Sequence, residues 1–289
     1  MSHGGKGQVW AGVRSGAALI LIGLTLAGCN TRAPTPENSA AADSSSDNQQ
    51  SGGGPLDPRL HQPFQTAVLQ EPPNEDQRLP ETTMTGKSVG RLYTEVVRLW
   101  NEIRFTNPAG KRLIYRATLE TELGPIELAL LPDIAPNHVR NFVALARAGY
   151  YDGLVFERTV HEESDDGSGA KVDLVEAGCP MGTGDGGFGS LGYWLKPEFN
   201  TDAHHEEGTL GACHGEDPDT ACGKFYITLG KAPVMDGSFT VFGKVTRGLD
   251  VVRRIFTQPV RNDPEFPEGD RPEKPIVIRK VTVRVTDDE

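Results

Sequence analysis

Apolar residues follow two different rhythms along this chain, and the change of rhythm divides it. Over residues 88–104, Val89, Leu92, Val96, Leu99 and Ile103 recur at spacings of three and four, with Trp100 beside them. That spacing lines one face of an α-helix, and Pro108-Ala109-Gly110 closes the segment. The stripe is expected either to pack on the domain that follows or to bind a partner. From residue 113 the period shortens to two, as in half-buried strands. Residues 113–121 and 126–131 read as strands joined at Leu123-Gly124-Pro125, a hairpin signal. Residues 155–160, 172–177, 209–213, 225–229, 239–245 and 276–285 complete a set of eight. Met235-Asp236-Gly237-Ser238 carries the Asp-Gly pair that tolerates positive φ, so 225–229 and 239–245 are expected to form a hairpin. Two helices are expected. Residues 136–148 have Pro136 in the first turn, Gly149 past the end and Val139, Phe142, Val143 and Ala146 inward, and residues 249–256 form the second. Eight short strands and two helices predict a mostly β fold, a closed eight-stranded antiparallel barrel capped by two helices.

The first part of the chain has neither rhythm. Lys6 and Arg14 precede an apolar run at 17–27 that is too short to span a bilayer comfortably, so residues 1–28 read as a targeting segment. Leu26-Ala27-Gly28-Cys29 places small residues before a Cys and resembles the bacterial lipoprotein signal. The alternative is an ordinary secretory signal that contains Cys29. The resemblance implies lipidation at Cys29, membrane attachment and a domain held in the periplasm, with Asn30 pointing to the outer membrane. Ser, Ala, Gln, Asn, Gly and Pro dominate residues 30–58, which are expected to stay disordered. About thirty such residues reach on the order of 30 Å. Residues 60–86 are Pro-rich and poorly periodic and read as an extended connector. The layout is therefore a signal at 1–28, a lipidated Cys and disordered tether at 29–86, a helix and connector at 87–112, and a domain at 113–289. A net charge of −11, two units more negative without Lys6 and Arg14, makes a poor nucleic-acid binder and attracts basic segments.

The chemistry enters through an ordered set of motifs. Ala135-Pro136-Asn137-His138-Val139-Arg140-Asn141-Phe142 is followed by Tyr150-Tyr151-Asp152-Gly153 and Phe156-Glu157-Arg158. A Gly-rich turn at 178–184, then Asp236-Gly237 and Val241-Phe242-Gly243-Lys244-Val245, complete the series. Together they resemble the cyclophilin family of peptidyl-prolyl isomerases over residues 113–285. The resemblance implies rotation about X-Pro bonds, whose barrier of roughly 18–20 kcal/mol comes from amide resonance. A positioned donor that polarises the amide lowers it without a covalent step. Arg158 matches the family's catalytic Arg; the other reading is a strand Arg in a surface salt bridge.

By the same resemblance, the substrate-binding set is Phe156, Asp173, Leu174, Glu176, Cys213, Lys224, Tyr226, Met235 and Phe239. Several of these depart from the family's pattern. Asp173 stands for a Phe, Leu174 for a Met, Glu176 for a Gln, and Cys213-His214 for an Ala-Asn pair. Lys224 stands for a Gln, Tyr226 for a Phe, Val234 for a Trp, Met235 for a Leu, and Phe239 for a His or Tyr. Leu174, Tyr226 and Met235 keep an apolar floor, whereas Asp173 takes aromatic area away and adds charge. Glu176 is placed to hold Arg158 by a bidentate pair, with Lys224 neutralising it. These substitutions imply reduced activity on simple peptides and a preference for basic flanking residues. The resemblance implies no cofactor and no metal, proline-containing polypeptides as partners, and a monomer. Two functions stay open: an envelope-tethered isomerase assisting the folding of exported proteins, or a module that binds proline-containing or basic peptides without catalysis. A third is a protein–protein scaffold acting through the 88–104 helix.

Cys179, Cys213 and Cys222 remain. In an oxidising envelope, Cys213 and Cys222 flank the polar turn at 214–221 and are a candidate disulfide, with Cys179 left over. A metal reading would recruit them with His214 and His204 or His205, but the spacing fits no standard zinc pattern. Glu162, Glu163, Asp165 and Asp166 read as solvated surface.

Overall fold

Each period-two stretch becomes a strand, and pairing between strands decides which side of the sheet its residues face. The computed structural model describes residues 58–163, 171–184, 189–263 and 266–288; the targeting segment, Cys29, the tether up to 57 and Asp165-Asp166 lie outside these residues. In chain order the elements are α1 (Phe64–Ala67), β1 (Val68–Leu69), α2 (Val89–Trp100), β2 (Leu113–Thr121), β3 (Gly124–Leu130) and α3 (Pro136–Arg147). They continue with β4 (Phe156–Glu163), β5 (Lys171–Ala177), β6 (Trp194–Leu195), β7 (Thr209–Ala212), β8 (Phe225–Thr228) and β9 (Val241–Arg247). The last are α4 (Leu249–Phe256), β10 (Val260–Asp263), β11 (Phe266–Pro272) and β12 (Ile278–Asp287).

The main sheet runs β10-β11-β4-β5-β8-β7-β9-β3-β2-β12, antiparallel at every step. Eight of these ten strands are the expected ones. The two ends of that eight-strand run meet. Val155 pairs with Val277, Phe156 N–H donates to the Ile276 carbonyl at 2.9 Å, and Ile278 N–H donates to the Leu154 carbonyl at 2.8 Å. The added pair, β10 and β11, lies against the far edge of β4. Pro and charged residues fill 260–272, so no alternation announces it. β2 and β3 form the expected hairpin. The expected hairpin around Asp236-Gly237 does not form. β7 lies between β8 and β9, with Gly211 opposite Tyr226 on one side and Val241 on the other. The connection from β8 to β9 is long enough to cross one strand, and crossing it gives the wholly buried β7 two partners.

Residues 60–86 are not a tether. Leu60, Phe64, Ala67 and Val68 are buried. The Phe64 ring stands edge-on to Tyr193 at 5.1 Å, Trp100 at 5.2 Å and Tyr93 at 5.8 Å, and β1 pairs with β6. The apolar face of α2, capped by the Ser88 hydroxyl, is also buried, with Val89, Leu92, Val96, Leu99 and Trp100 inward. The chain itself therefore covers the stripe that a scaffold would need. This cover explains why α3 is buried from Pro136 to Ala146 and not along four residues only. Arg140 on α3 fixes the cover. Its guanidinium lies 5.3 Å from the Trp100 ring centre and 4.8 Å from that of Phe105, a cation–π arrangement. It donates to Asn137 Oδ1 at 3.1 Å and to the Leu60 carbonyl. Burial lowers its pKa to about 10, so it stays a cation at neutral pH.

Phe64→Ala is expected to cost about 3–5 kcal/mol, the range for emptying a buried aromatic site. Urea unfolding of the full chain measures this; a residue in a free tether would leave the midpoint unchanged.

Candidate active site

β4 carries one residue too many for its partner. Phe156 stands opposite Ala177 and Arg158 opposite Glu176, so three residues of β4 span two of β5. Such a bulge re-aims the side chains after it. Phe156 turns into the main core, fully buried and 6.4 Å from the Phe225 ring, and is therefore not a pocket residue. Arg158 and Val160 face outward instead, where Arg158 keeps 22% of its side chain exposed.

Arg158, Glu176, Tyr226 and Gly211 stand opposite one another in a row across β4, β5, β8 and β7. Arg158 Nη1 donates to both carboxylate oxygens of Glu176, each at 3.2 Å. One nitrogen makes both contacts, unlike the two-nitrogen fork expected from the sequence. Lys224 Nζ approaches Glu176 from the other side at 3.3 Å and donates to the Gly184 carbonyl at 3.0 Å. Burial works against every charge here, but the partners outweigh it. Lys224 and Arg158 hold the Glu176 carboxyl below its ordinary pKa, and Glu176 holds Lys224 and Arg158 above theirs. Gly184 has φ +76, and a Cβ there would lie 2.7 Å from Arg158 Cδ, so glycine lets this loop rest on the arginine stem.

Next to this row is a second apolar cluster, separate from the main core. Leu174, Cys213, Tyr226 and Met235 come together there as expected, joined by Val160 and Ala232, with Phe239 and Val172 partly buried against them. Val160, Val172 and Ala232 carry no family motif and were not foreseen. His214 stacks on Phe239 with ring centres 4.3 Å apart. Asp173 does not join. Leu174 and Glu176 share the outer face of β5, so alternation turns residue 173 away from it. Its carboxylate instead meets His161 Nδ1, whose ring lies 6.5 Å from Phe256 of α4. Val234 is 40% exposed and stands outside the cluster.

Cys179, Cys213 and Cys222 are free thiols, so the expected Cys213–Cys222 bridge is absent. Cys213 belongs to the outer cluster and Cys222 to the main core, on two different apolar bodies. Burial pushes the Cys222 thiol up to about 12 and that of Cys213 well above the ordinary range. Glu157, the extra residue of the bulge, was also missed. It is buried, its Oε1 accepts from Cys179 N–H at 3.0 Å, and its Oε2 has no hydrogen-bond partner among the described residues. Burial, partly offset by Lys224, pushes its carboxyl up to about 7.

Comparison with known proteins gives the family. The family model described as cyclophilin type peptidyl-prolyl cis-trans isomerase/CLD matches residues 116–283. A peptidyl-prolyl cis-trans isomerase of Schizosaccharomyces pombe is 35% identical over 162 residues, covering 56% of this chain and 94% of that protein. One from Arabidopsis thaliana is 36% identical over 138 residues, covering 48% of this chain and 78% of its own length. A cyclophilin type isomerase from Cryptosporidium parvum shares the fold, with a TM-score of 0.50 at 22% identity over 59% of this chain and 98% of that one. This chain belongs to the cyclophilin-type peptidyl-prolyl cis-trans isomerases, an isomerase family, and α1, β1 and α2 lie outside the matched segment.

Glu157 gives a pH dependence with a defined sign. Its folded pKa of about 7 lies above the ordinary 4.5. The stability it contributes is therefore complete below the ordinary value and is lost as pH rises through the folded one. Glu157→Gln is expected to flatten the fall in melting temperature across that window. Thermal melts at its two ends measure this, and an unchanged slope would count against a protonated Glu157.

Proposed function

We propose that this chain isomerises prolyl peptide bonds of exported polypeptides in a bacterial cell envelope, with Arg158 as the donor that polarises the prolyl amide. The observation that carries this reading is the placement of a partly exposed, permanently charged guanidinium at the end of a row whose other side is an apolar cluster. A proline ring suits the cluster of Leu174, Tyr226 and Met235, and the preceding amide then falls towards Arg158. Hydrogen bonding to the amide weakens the resonance that makes rotation slow. Glu176 holds the guanidinium through one nitrogen, which orients it. Lys224 supplies a second cation, so the row keeps a net positive charge while Glu176 is ionised and Glu157 protonated. That sign suits polarisation of a carbonyl or amide within a protein of net charge −11.

The envelope setting rests on residues 1–29. The charged start, the short apolar run and Leu26-Ala27-Gly28-Cys29 support processing at Cys29 and attachment by lipid, and the protein acts there as a monomer on proline-containing clients.

Arg158→Ala is expected to lower kcat/KM for a proline-containing peptide roughly 100-fold, the loss typical of removing one preorganised donor. A proline-isomerisation assay on the two folded proteins decides it, and equal rates would sink the assignment. For the anchor, palmitate labelling in a bacterial host is expected to mark the wild type and not Cys29→Ala, with the variant moving from the membrane to the soluble fraction. Labelling of both would refute lipidation at Cys29.

A further inference from the structure

The wall of the apolar cluster contains a hydroxyl that its role does not require. Tyr226 is 2% exposed, and its Oη lies 2.7 Å from His205 Nε2. The imidazole, fully buried, places Nδ1 2.7 Å from Asp236 Oδ1, and the same oxygen accepts from the His205 backbone N–H at 2.8 Å. The other Asp236 oxygen meets His204 Nδ1 at 2.9 Å. These bonds assign the protons. His204 and His205 outweigh burial and hold Asp236 below the ordinary carboxyl range, so Asp236 only accepts. His205 Nδ1–H donates to it. Burial outweighs Asp236 and lowers the His205 pKa, so the ring is neutral and Nε2 accepts from the Tyr226 hydroxyl.

The site is built to admit this contact. A Cβ on Gly211 would lie 2.2 Å from Tyr226 Cζ and Oη, so the phenol lies across β7 only because residue 211 is glycine. The same connection that carries Asp236 also carries Met235 and Phe239, both in the cluster. Ala232 N–H donates to the His205 carbonyl at 2.9 Å, and the Phe239 ring stands edge-on to Tyr226 at 5.9 Å. One carboxylate thus fixes His205, and His205 fixes the aromatic wall.

We infer that His205 and Asp236 are positioning residues for the proline pocket, holding the Tyr226 hydroxyl away from the substrate so that the buried ring backs the apolar floor. The inference rests on the isomerase reading given above. It separates two requirements that a Phe would meet without help: an aromatic face, and no unsatisfied donor beside an apolar ring.

The test is steady-state isomerisation of a proline-containing peptide by the full chain, with peptide affinity measured by calorimetry on the same samples. His205→Ala is expected to raise KM and Kd roughly five- to tenfold with kcat little changed, the scale of one lost buried hydrogen bond. His205→Gln, whose side-chain carbonyl also accepts, is expected to restore most of both. Tyr226→Phe in the His205→Ala background is expected to do likewise, because no hydroxyl is then left without a partner. If His205→Ala fails to fold, Asp236→Ala, which leaves His205 without its acceptor, is expected to show the same KM and Kd rise. Unchanged KM and Kd in a folded variant, or a fall in kcat alone, would overturn the inference, as would failure of Gln to rescue. Arg158→Ala serves as the control. If wild type turns over no faster than Arg158→Ala, the isomerase reading fails, while the affinities still report on the pocket.

Discussion

The extra residue in β4 is the constraint on which the site depends. A regular strand would put Phe156 and Arg158 on the same face. Either the guanidinium would then enter the core or a phenylalanine would be presented to water. With Glu157 inserted, Phe156 packs against Phe225 and Arg158 turns out to meet Glu176. The inserted residue needs a place of its own, and it is buried with a half-satisfied carboxyl behind the site. That carboxyl stays neutral more easily than any exposed one because burial disfavours its charge.

The ionic row that follows is better explained by orientation than by stability. At 3.3 Å and an effective dielectric of ~20, two unit charges attract by about 5 kcal/mol. Removing each from water costs several kcal/mol, so the Lys224–Glu176 contact roughly breaks even. What the row supplies is direction. Lys224 is tied to the Gly184 carbonyl, Glu176 to Lys224, and Arg158 to Glu176. An exposed arginine samples many rotamers; this one has its head held at one nitrogen and its stem under Gly184.

The elements with a strong period were legible in the sequence. The eight strands, α3 and α4 could be read from alternation and helix-end residues. Register was less legible. The expected set put the consecutive residues Asp173 and Leu174 of β5 in one pocket, whereas neighbours along a strand face opposite sides. Hence Val172, not Asp173, lies against the apolar cluster. Asp236-Gly237 reads as a hairpin because the local turn chemistry is the same whether the chain returns beside its own strand or crosses a third. The Cys213–Cys222 pairing failed for a related reason: closeness in sequence does not report which apolar body each residue joins. Residues 60–86 were misread because Leu60, Phe64, Ala67 and Val68, although spaced as a helical face and all buried, form a single short run broken by Pro63 inside a Pro-rich stretch, and Phe64 packs on Tyr93, Trp100 and Tyr193 far along the chain.

That misread segment also reaches the Gly-rich turn at 178–184. Met84 N–H donates to the Pro180 carbonyl at 2.7 Å. From the opposite side, Arg271 of β11 donates to the Gly182 carbonyl at 3.1 Å. The turn at 178–184 is therefore gripped by two additions to the eight-strand sheet before it delivers Gly184 to Arg158 and Lys224. Loops are ordinarily the most mobile parts of a fold, and a donor that must be preorganised cannot rest on a mobile support. A loop rich in glycine can approach the arginine closely but has little rigidity of its own. The N-terminal segment and the β10–β11 pair supply it from outside, so the parts of the chain beyond the eight strands act on the same guanidinium as the bulge.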